Sequence, residues 1–204
     1  MKKALLFING NPPKSIPDLG NYGLIACTDG AFHYLELLQF PLHQLDFVSG
    51  DFDSYIGEKF HKEVRFIFTP DQDKTDFEKA LEIISERGYS EVDVFGASGG
   101  EMDQYLGNLF VALKMKSKMK ISFFDEFSTY FFTNNNIVLN NVFGKNISLY
   151  PFPSCNGITT KGLQWEIKNN NLSLHTKMGI RNLATEEIVT IDYQSGELLI
   201  FIEI

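Results

Sequence analysis

The stretch Val92–Leu113, VDVFGASGGEMDQYLGNLFVAL, decides the fold. It opens on a short β-branched and aromatic run, Val92–Phe95, which suits a buried strand. Gly96-Ala97-Ser98-Gly99-Gly100 then frees the backbone for a tight turn. From Met102 onward, Leu106, Leu109, Phe110 and Leu113 recur at helical spacing. Strand, glycine loop and helix in direct succession form one unit of an α/β layer. The same rhythm extends outward from this unit, with strand candidates at Ala4–Ile8, Leu24–Cys27, Asp46–Ser49, Val64–Phe68 and Ile121–Phe124. Thr75 and Glu78 have the form of a capping box, and Phe77, Ala80, Leu81 and Ile84 give the helix behind it one apolar face.

Beyond about residue 126 the pattern changes. Short strand candidates at Thr129–Phe132, Ile137–Leu139, Ile147–Tyr150, Leu172–Leu174, Ile188–Ile191 and Leu198–Ile202 are separated by Asn, Gly and Pro clusters. Asn134–Asn136 and Asn169–Asn171 read as turns, because Asn tolerates left-handed backbone. The expected architecture is therefore an α/β domain with a mainly parallel sheet over residues 1–125, followed by a smaller all-β domain, an antiparallel sandwich or barrel, over residues 126–204.

The 204 residues, 44% of them hydrophobic, suffice for a buried core. Cys27 and Cys155 stand far apart and form no CxxC pair, which argues against a disulfide framework or a zinc knuckle and fits a reducing cytoplasm. The apolar run Ala4–Ile8 is too short for a signal peptide or a membrane span. A net charge of −8 argues against a nucleic-acid partner, since phosphate backbones are held by clustered Lys and Arg. The basic run Lys114–Lys120 reads as the solvated end of a helix.

Ligands of open α/β sheets bind at the carboxyl ends of the strands, so acidic residues placed just after strands carry the most information. Four such places occur: Cys27–Gly30, Ser49–Ser54 (SGDFDS), Asp71–Asp76 (DQDKTD) and Gly99–Asp103 (GGEMD). Asp51 and Asp53 lie two residues apart, so extended backbone points both carboxylates to one side, and Gly50 permits close approach to a ligand. Neighbouring carboxylates repel by about 4 kcal/mol at about 4 Å in a medium of effective dielectric near 20, a cost that a divalent cation removes. Magnesium suits a loose set of Asp oxygens completed by water and substrate phosphate. Gln72 and Lys74 are suited to phosphate or base contacts, and Thr75 opens a helix whose N-terminus favours anions. Gly96–Gly100 offers a phosphate cradle but matches neither GxGxxG nor a P-loop.

The residues alone thus indicate a magnesium-dependent phosphoryl-transfer site. A rival reading takes the same five residues as GxSxG, with Ser98 as nucleophile and His175 as base. It leaves Asp51, Asp53, Asp73 and Asp76 without a role, and the chain is short for a hydrolase sheet. The four histidines are scattered without metal-ligand spacing.

Taken in order, DGA, GDFDS, TPDQDKTDFEKAL, GASGGEMDQYLGNL and TKGLQW resemble the thiamine pyrophosphokinase family, from about Ala26 to the C-terminus. The resemblance implies transfer of pyrophosphate from ATP to the hydroxyethyl group of thiamine, with magnesium, giving AMP and thiamine diphosphate. It implies an α/β domain and a β domain, and a homodimer with active sites between subunits. By position it puts Asp51, Asp53 and Asp76 at the metal and phosphates; in the mechanism this suggests, a carboxylate, Asp76 or Asp73, would accept the hydroxyl proton. Asp29, Gln72, Lys74, Thr75, Gly99, Gly100, Asp103 and Asn108 would form the nucleotide and phosphate pocket. Trp165 and Asn182 would stand on the thiamine side, where an indole face attracts a thiazolium cation by about 0.5–2 kcal/mol. Bacterial-type members usually carry Arg and His where this chain has Glu101 and Gln104, and Arg181 replaces a usual serine. Those departures keep two alternatives in play: a pyrophosphokinase for another hydroxymethyl heterocycle such as a pterin, and a non-catalytic nucleotide sensor.

Overall fold

The structure, a computed structural model, describes residues 3–52 and 64–204 and divides into two compact units, Met1–Glu126 and Phe127–Ile204. Asp53 lies outside the described residues.

The first unit runs β1 (Lys3–Phe7), β2 (Tyr22–Thr28), α1 (Asp29–Leu37), β3 (Phe47–Gly50), β4 (Phe66–Phe68), α2 (Asp76–Glu86), β5 (Glu91–Phe95), α3 (Met102–Met115) and β6 (Lys120–Phe124). Its strands are ordered β4-β3-β2-β1-β5-β6, and all five pairings are parallel. Sandwiched on both faces, β1 from Ala4 onward and the whole of β3 are buried without alternation, Ser49 included. One face takes Leu5, Phe7, Ile25, Cys27 and Val48 into a core with Phe32 and Leu35 of α1. Phe124 stacks on Phe95 at 5.1 Å, whereas Phe123, one residue back and so on the other face, meets Phe77 of α2 at 5.9 Å.

Helix α1 carries no strong period in DGAFHYLEL and was not marked by sequence pattern; burial of Ala31, Phe32 and Leu35 against the sheet is what holds it. Half of the capping box forms: Glu78 N–H donates to Thr75 Oγ1 at 3.2 Å. The other half does not, because the Glu78 carboxylate is buried and accepts from Lys114 Nζ at 2.6 Å. The basic run 114–120 is accordingly not a purely solvated end, since Lys114 makes this ion pair and Met115 and Met119 are buried.

The second unit contains β7 (Ser128–Phe132), β8 (Asn136–Asn140), β9 (Asn146–Lys161), β10 (Asn170–Ser173), β11 (Gly179–Leu183), β12 (Ile188–Asp192) and β13 (Ser195–Glu203). Every pairing there is antiparallel. The 16-residue β9 is the spine, pairing with β13 along its first part and with β12 along its last. Sequence pattern ends this strand at Tyr150 because Pro151 and Pro153 lack N–H donors. It continues because the ladder slips between Gly196 and Leu198, and Gly196, at φ +97°, passes close to the Ser154 carbonyl where a Cβ has no room. Thirteen strands and three helices among the described residues make the fold a mostly β one with a mixed sheet.

Candidate active site

In the first unit the chain steps outward through β1, β2, β3 and β4, then returns to place β5 on the free side of β1. The connections leaving β1 and β5 therefore diverge, and such a switch point is where an open α/β sheet forms its crevice. Here the two exits are stapled first. Ile8 N–H donates to the Phe95 carbonyl at 2.9 Å, Gly10 N–H to the Gly96 carbonyl at 2.6 Å and Asn11 N–H to the Ser98 carbonyl at 2.9 Å. A Cβ on Gly10 would lie 2.6 Å from the Ser98 carbonyl oxygen, so only glycine permits this approach. A cleft of about 430 Å³ opens beside the staple, bordered by Asn9 and Gly10, Asp51, Gly99 and Gly100, and the N-cap residues of all three helices.

The three N-caps are Thr28, Thr75 and Glu101. Each helix start presents backbone N–H groups that lack an intrahelical acceptor and the positive end of its dipole, an arrangement that receives phosphate oxygens. The side chains have the opposite sign. Asp29, Asp51, Asp76 and Glu101 all line the cleft, and no Lys, Arg or His stands among its described lining residues. An anionic ligand enters such a site only with a cation.

Asp29 is the buried member of the set. Its carboxyl is pushed above the usual carboxylate range, first by burial and then by the charges of Asp76 and Asp51, while N–H donation from Gly30 and Phe52 pulls the other way. Those bonds measure 2.7 Å from Gly30 to Oδ1 and 2.9 Å from Phe52 to Oδ2. They hold a tight turn in which Phe52 takes φ +58°, a costly conformation for an aromatic residue. Gly50 is required in the same turn, because a Cβ there would overlap the Asp29 carboxylate.

Of the residues singled out by sequence, Asp29, Asp51, Thr75, Asp76, Gly99, Gly100 and Asn108 come together on this cleft. Gln72 stands beside it, donating from Nε2 to Asp51 Oδ2 at 3.2 Å. Asn108 supports the glycine loop by donating to the Ala97 carbonyl at 3.0 Å. Lys74 turns away: Glu82 of α2 holds its Nζ at 2.8 Å through both carboxylate oxygens. Asp73 is exposed, its N–H closing a local turn onto Asp71 Oδ1 at 2.9 Å. Asp103 is exposed in the first turn of α3, outside the cleft lining, and its Oδ1 accepts from Gln104 N–H at 2.9 Å. Ser98 Oγ donates to Asp125 at 3.4 Å, with an aspartate where the hydrolase reading needs a histidine.

Trp165 and Asn182 belong to the second unit. The indole is 63% exposed, while Asn182 is buried and grips the tryptophan backbone from both sides. Asn182 Oδ1 accepts from Trp165 N–H at 3.1 Å, and its Nδ2 donates to the Trp165 carbonyl at 2.8 Å. Arg181 beside it has φ +52° and reaches Glu203 Oε1 at 3.4 Å. Sequence reasoning missed Asn9 and Gly10 as cleft residues, while Gln104, noted there only as a departure from the family pattern, joins them in the lining. The signal for the first two was the Asn9-Gly10-Asn11 turn directly after the first strand, which a search for acidic loops passes over.

Among the described residues, no three His, Cys, Asp or Glu side chains are gathered closely enough to hold a metal ion. Asp51 and Asp76 share the cleft and supply hard carboxylate oxygens without nitrogen or sulfur donors, which suits magnesium.

Fold and cleft together define a class: an α/β domain with an acidic crevice at the switch point of its parallel sheet. Family comparison then identifies the chain. Residues 19–123 match the model of the thiamin pyrophosphokinase catalytic domain and residues 134–198 that of the thiamin pyrophosphokinase vitamin B1 binding domain, so the chain belongs to the thiamin pyrophosphokinase family. Thiamine pyrophosphokinase 2 of Arabidopsis thaliana is 28% identical, over 96% of this chain and 84% of its own. Thiamine pyrophosphokinase of Bacillus subtilis is 24% identical over 97% of both chains. A solved thiamin pyrophosphokinase family protein from Enterococcus faecalis shares the fold, with a TM-score of 0.85 and 20% identity over 99% of each chain. These matches support neither the pterin-type acceptor nor the non-catalytic sensor.

Proposed function

We propose that this chain is a thiamine diphosphokinase that transfers the pyrophosphoryl group of ATP to thiamine, yielding thiamine diphosphate and AMP. The observation that carries the reading is an acidic cleft, with no basic side chain among its described lining residues, set where three helix N-termini meet at the carboxyl edge of a family-matched catalytic domain. ATP occupies that cleft with its phosphates toward the helix starts. Asp51 and Asp76, together with Asp53 as the family resemblance implies, would hold magnesium, which when bound would neutralise charge on the triphosphate and on the carboxylates. Asp29 fixes the Gly50–Phe52 turn and thereby the direction of Asp51. Gln72 orients the same carboxylate from the other side.

The thiamine hydroxyl oxygen forms its bond to the β-phosphorus as the bond to the α,β-bridging oxygen breaks, and AMP departs. Asp76 or Asp73 accepts the hydroxyl proton. Positioning and charge neutralisation supply most of the rate. In the β domain Trp165 lies against the thiazolium, presented by Asn182. The reading assigns nucleotide chemistry to residues 1–125 and thiamine binding with dimerisation to residues 126–204. It includes a homodimer with active sites between subunits, as the family resemblance implies, and a cytoplasmic location. The location is supported by two buried cysteines, Cys27 and Cys155, that are not joined in a disulfide. No described helix is long and apolar enough to cross a membrane.

Purified protein incubated with ATP, magnesium and thiamine is expected to release AMP and thiamine diphosphate in equal amounts, resolved by chromatography. Product from a hydroxymethylpterin but not from thiamine overturns the acceptor, and ATP binding without any AMP overturns the enzyme.

A further inference from the structure

Two lysines flank the start of α2, and their surroundings differ sharply. Lys74 is partly exposed and spends its charge on Glu82. Lys79, one turn into the helix, is 6% exposed. An ammonium has three N–H donors, and all three of Lys79 are matched: Asp76 Oδ1 at 2.7 Å, the Thr69 carbonyl at 2.8 Å and the Asp71 carbonyl at 3.1 Å. The side chain therefore ties the first turn of α2 to the segment that leaves β4. That segment is itself tied to the Asp51 turn, since Thr69 N–H donates to the Gly50 carbonyl at 2.9 Å. Two acidic stretches far apart in sequence are thus held in one frame, and Lys79 is its central post.

A saturated donor set leaves Lys79 nothing to offer a ligand, and it is absent from the cleft lining. Asp76 does line the cleft. With Oδ1 engaged from behind, its carboxylate keeps Oδ2 for whatever the cleft holds. We propose that Lys79 is a positioning residue for nucleotide binding, clamping Asp76 and the 69–71 segment in the orientation that receives magnesium-bound ATP; this rests on the reading of the cleft given above. Its effect passes through Asp76, and thiamine binding in the β domain does not depend on it.

The test uses Lys79→Met, which removes charge and donors, and Lys79→Gln, which removes the charge but keeps N–H donors for the two carbonyls. The control is Glu78→Gln, which weakens a buried ion pair one residue away on the same helix without facing the cleft. Calorimetric titration with magnesium and ATP, without acceptor, is expected to show affinity weakened about 30-fold or more in both Lys79 variants, a misplacement effect of the usual size. Glu78→Gln should stay within about threefold of wild type while losing thermal stability comparably. In turnover, the Lys79 variants should change kcat and the KM for ATP but leave the KM for thiamine within about twofold. Lys79 variants that lose thermal stability yet bind magnesium and ATP like wild type show a purely structural lysine and overturn the proposal. An equal rise in both KM values overturns it too. Because the titration needs no acceptor, it stands even if wild type fails to convert thiamine, which would defeat only the functional reading.

Discussion

The cleft of the first unit and the tryptophan site of the second are built on opposite physical terms. In the cleft, carboxylates stand against helix N-termini, glycines admit no Cβ and Asp29 is buried with like charges nearby. Around Trp165 an uncharged side chain is left exposed, and a buried amide fixes only its backbone. The cleft is a strained, charge-dominated device in which each group constrains the next. Trp165 is a presented surface, and in the proposed function its binding energy would come from one ring. Changes in the first should therefore alter chemistry, and changes in the second should alter affinity.

Asp51→Asn tests the charge-dominated side and has the largest expected effect. It keeps the turn, since Asp29 still accepts from Gly30 and Phe52, and it removes one like charge from the set. Turnover is expected to fall at least about 100-fold, the usual loss when a group stabilising transition-state charge is removed. Thermal stability in a chelator should be equal or higher, because Asp51 contributes to the repulsion felt at Asp29. A steady-state assay paired with a melting curve checks both. Stability lost along with activity would mean that Asp51 serves the fold, and the contrast between the two regions would collapse.

Trp165→Ala probes the other side and should act through thiamine affinity alone. Loss of a cation–π contact of about 0.5–2 kcal/mol raises the KM for thiamine about 2- to 30-fold, with kcat and the KM for ATP little changed. Because the indole is 63% exposed, the melting temperature should hardly move. A Trp165→Ala variant that unfolds would place the ring in the β-domain core instead.

How much of this was legible beforehand depended on whether local pattern or tertiary context made the decision. The strands of the first unit and the Thr75 start of α2 follow from period and capping chemistry, which are local. Most of the cleft carboxylates were visible because post-strand loops can be recognised without knowing strand order. Strand β9 was legible only as far as Tyr150, because the prolines beyond it are accommodated beside a slip in the partner ladder between Gly196 and Leu198. Lys74 and Lys79 show the limit most clearly. Both are lysines at one helix start, and burial alone sends one to Glu82 and the other beneath Asp76. The Asn9-Gly10 wall depends on β5 returning beside β1, a matter of topology that no spacing in the sequence expresses.

The smallest expected effect concerns pH and isolates the electrostatic strain at Asp29. Its carboxyl is raised from the ordinary value of 3.8, first by burial and then by Asp76 and Asp51. As pH rises from about 3.8, the unfolded chain loses this proton before the folded one does. The folded state therefore binds more protons across that window, and stability falls with rising pH until the folded carboxyl has also ionised. This slope opposes the usual carboxylate trend, so it should appear as a difference between variants. Asp29→Asn, melted in a chelator across the acid range, is expected to lose that falling component and to gain on wild type as pH increases. The gain should be smaller in an Asp51→Asn background, where part of the repulsion has already gone. If wild type and Asp29→Asn run parallel throughout, like-charge strain is absent from the cleft, and the contrast with the tryptophan site rests on geometry alone.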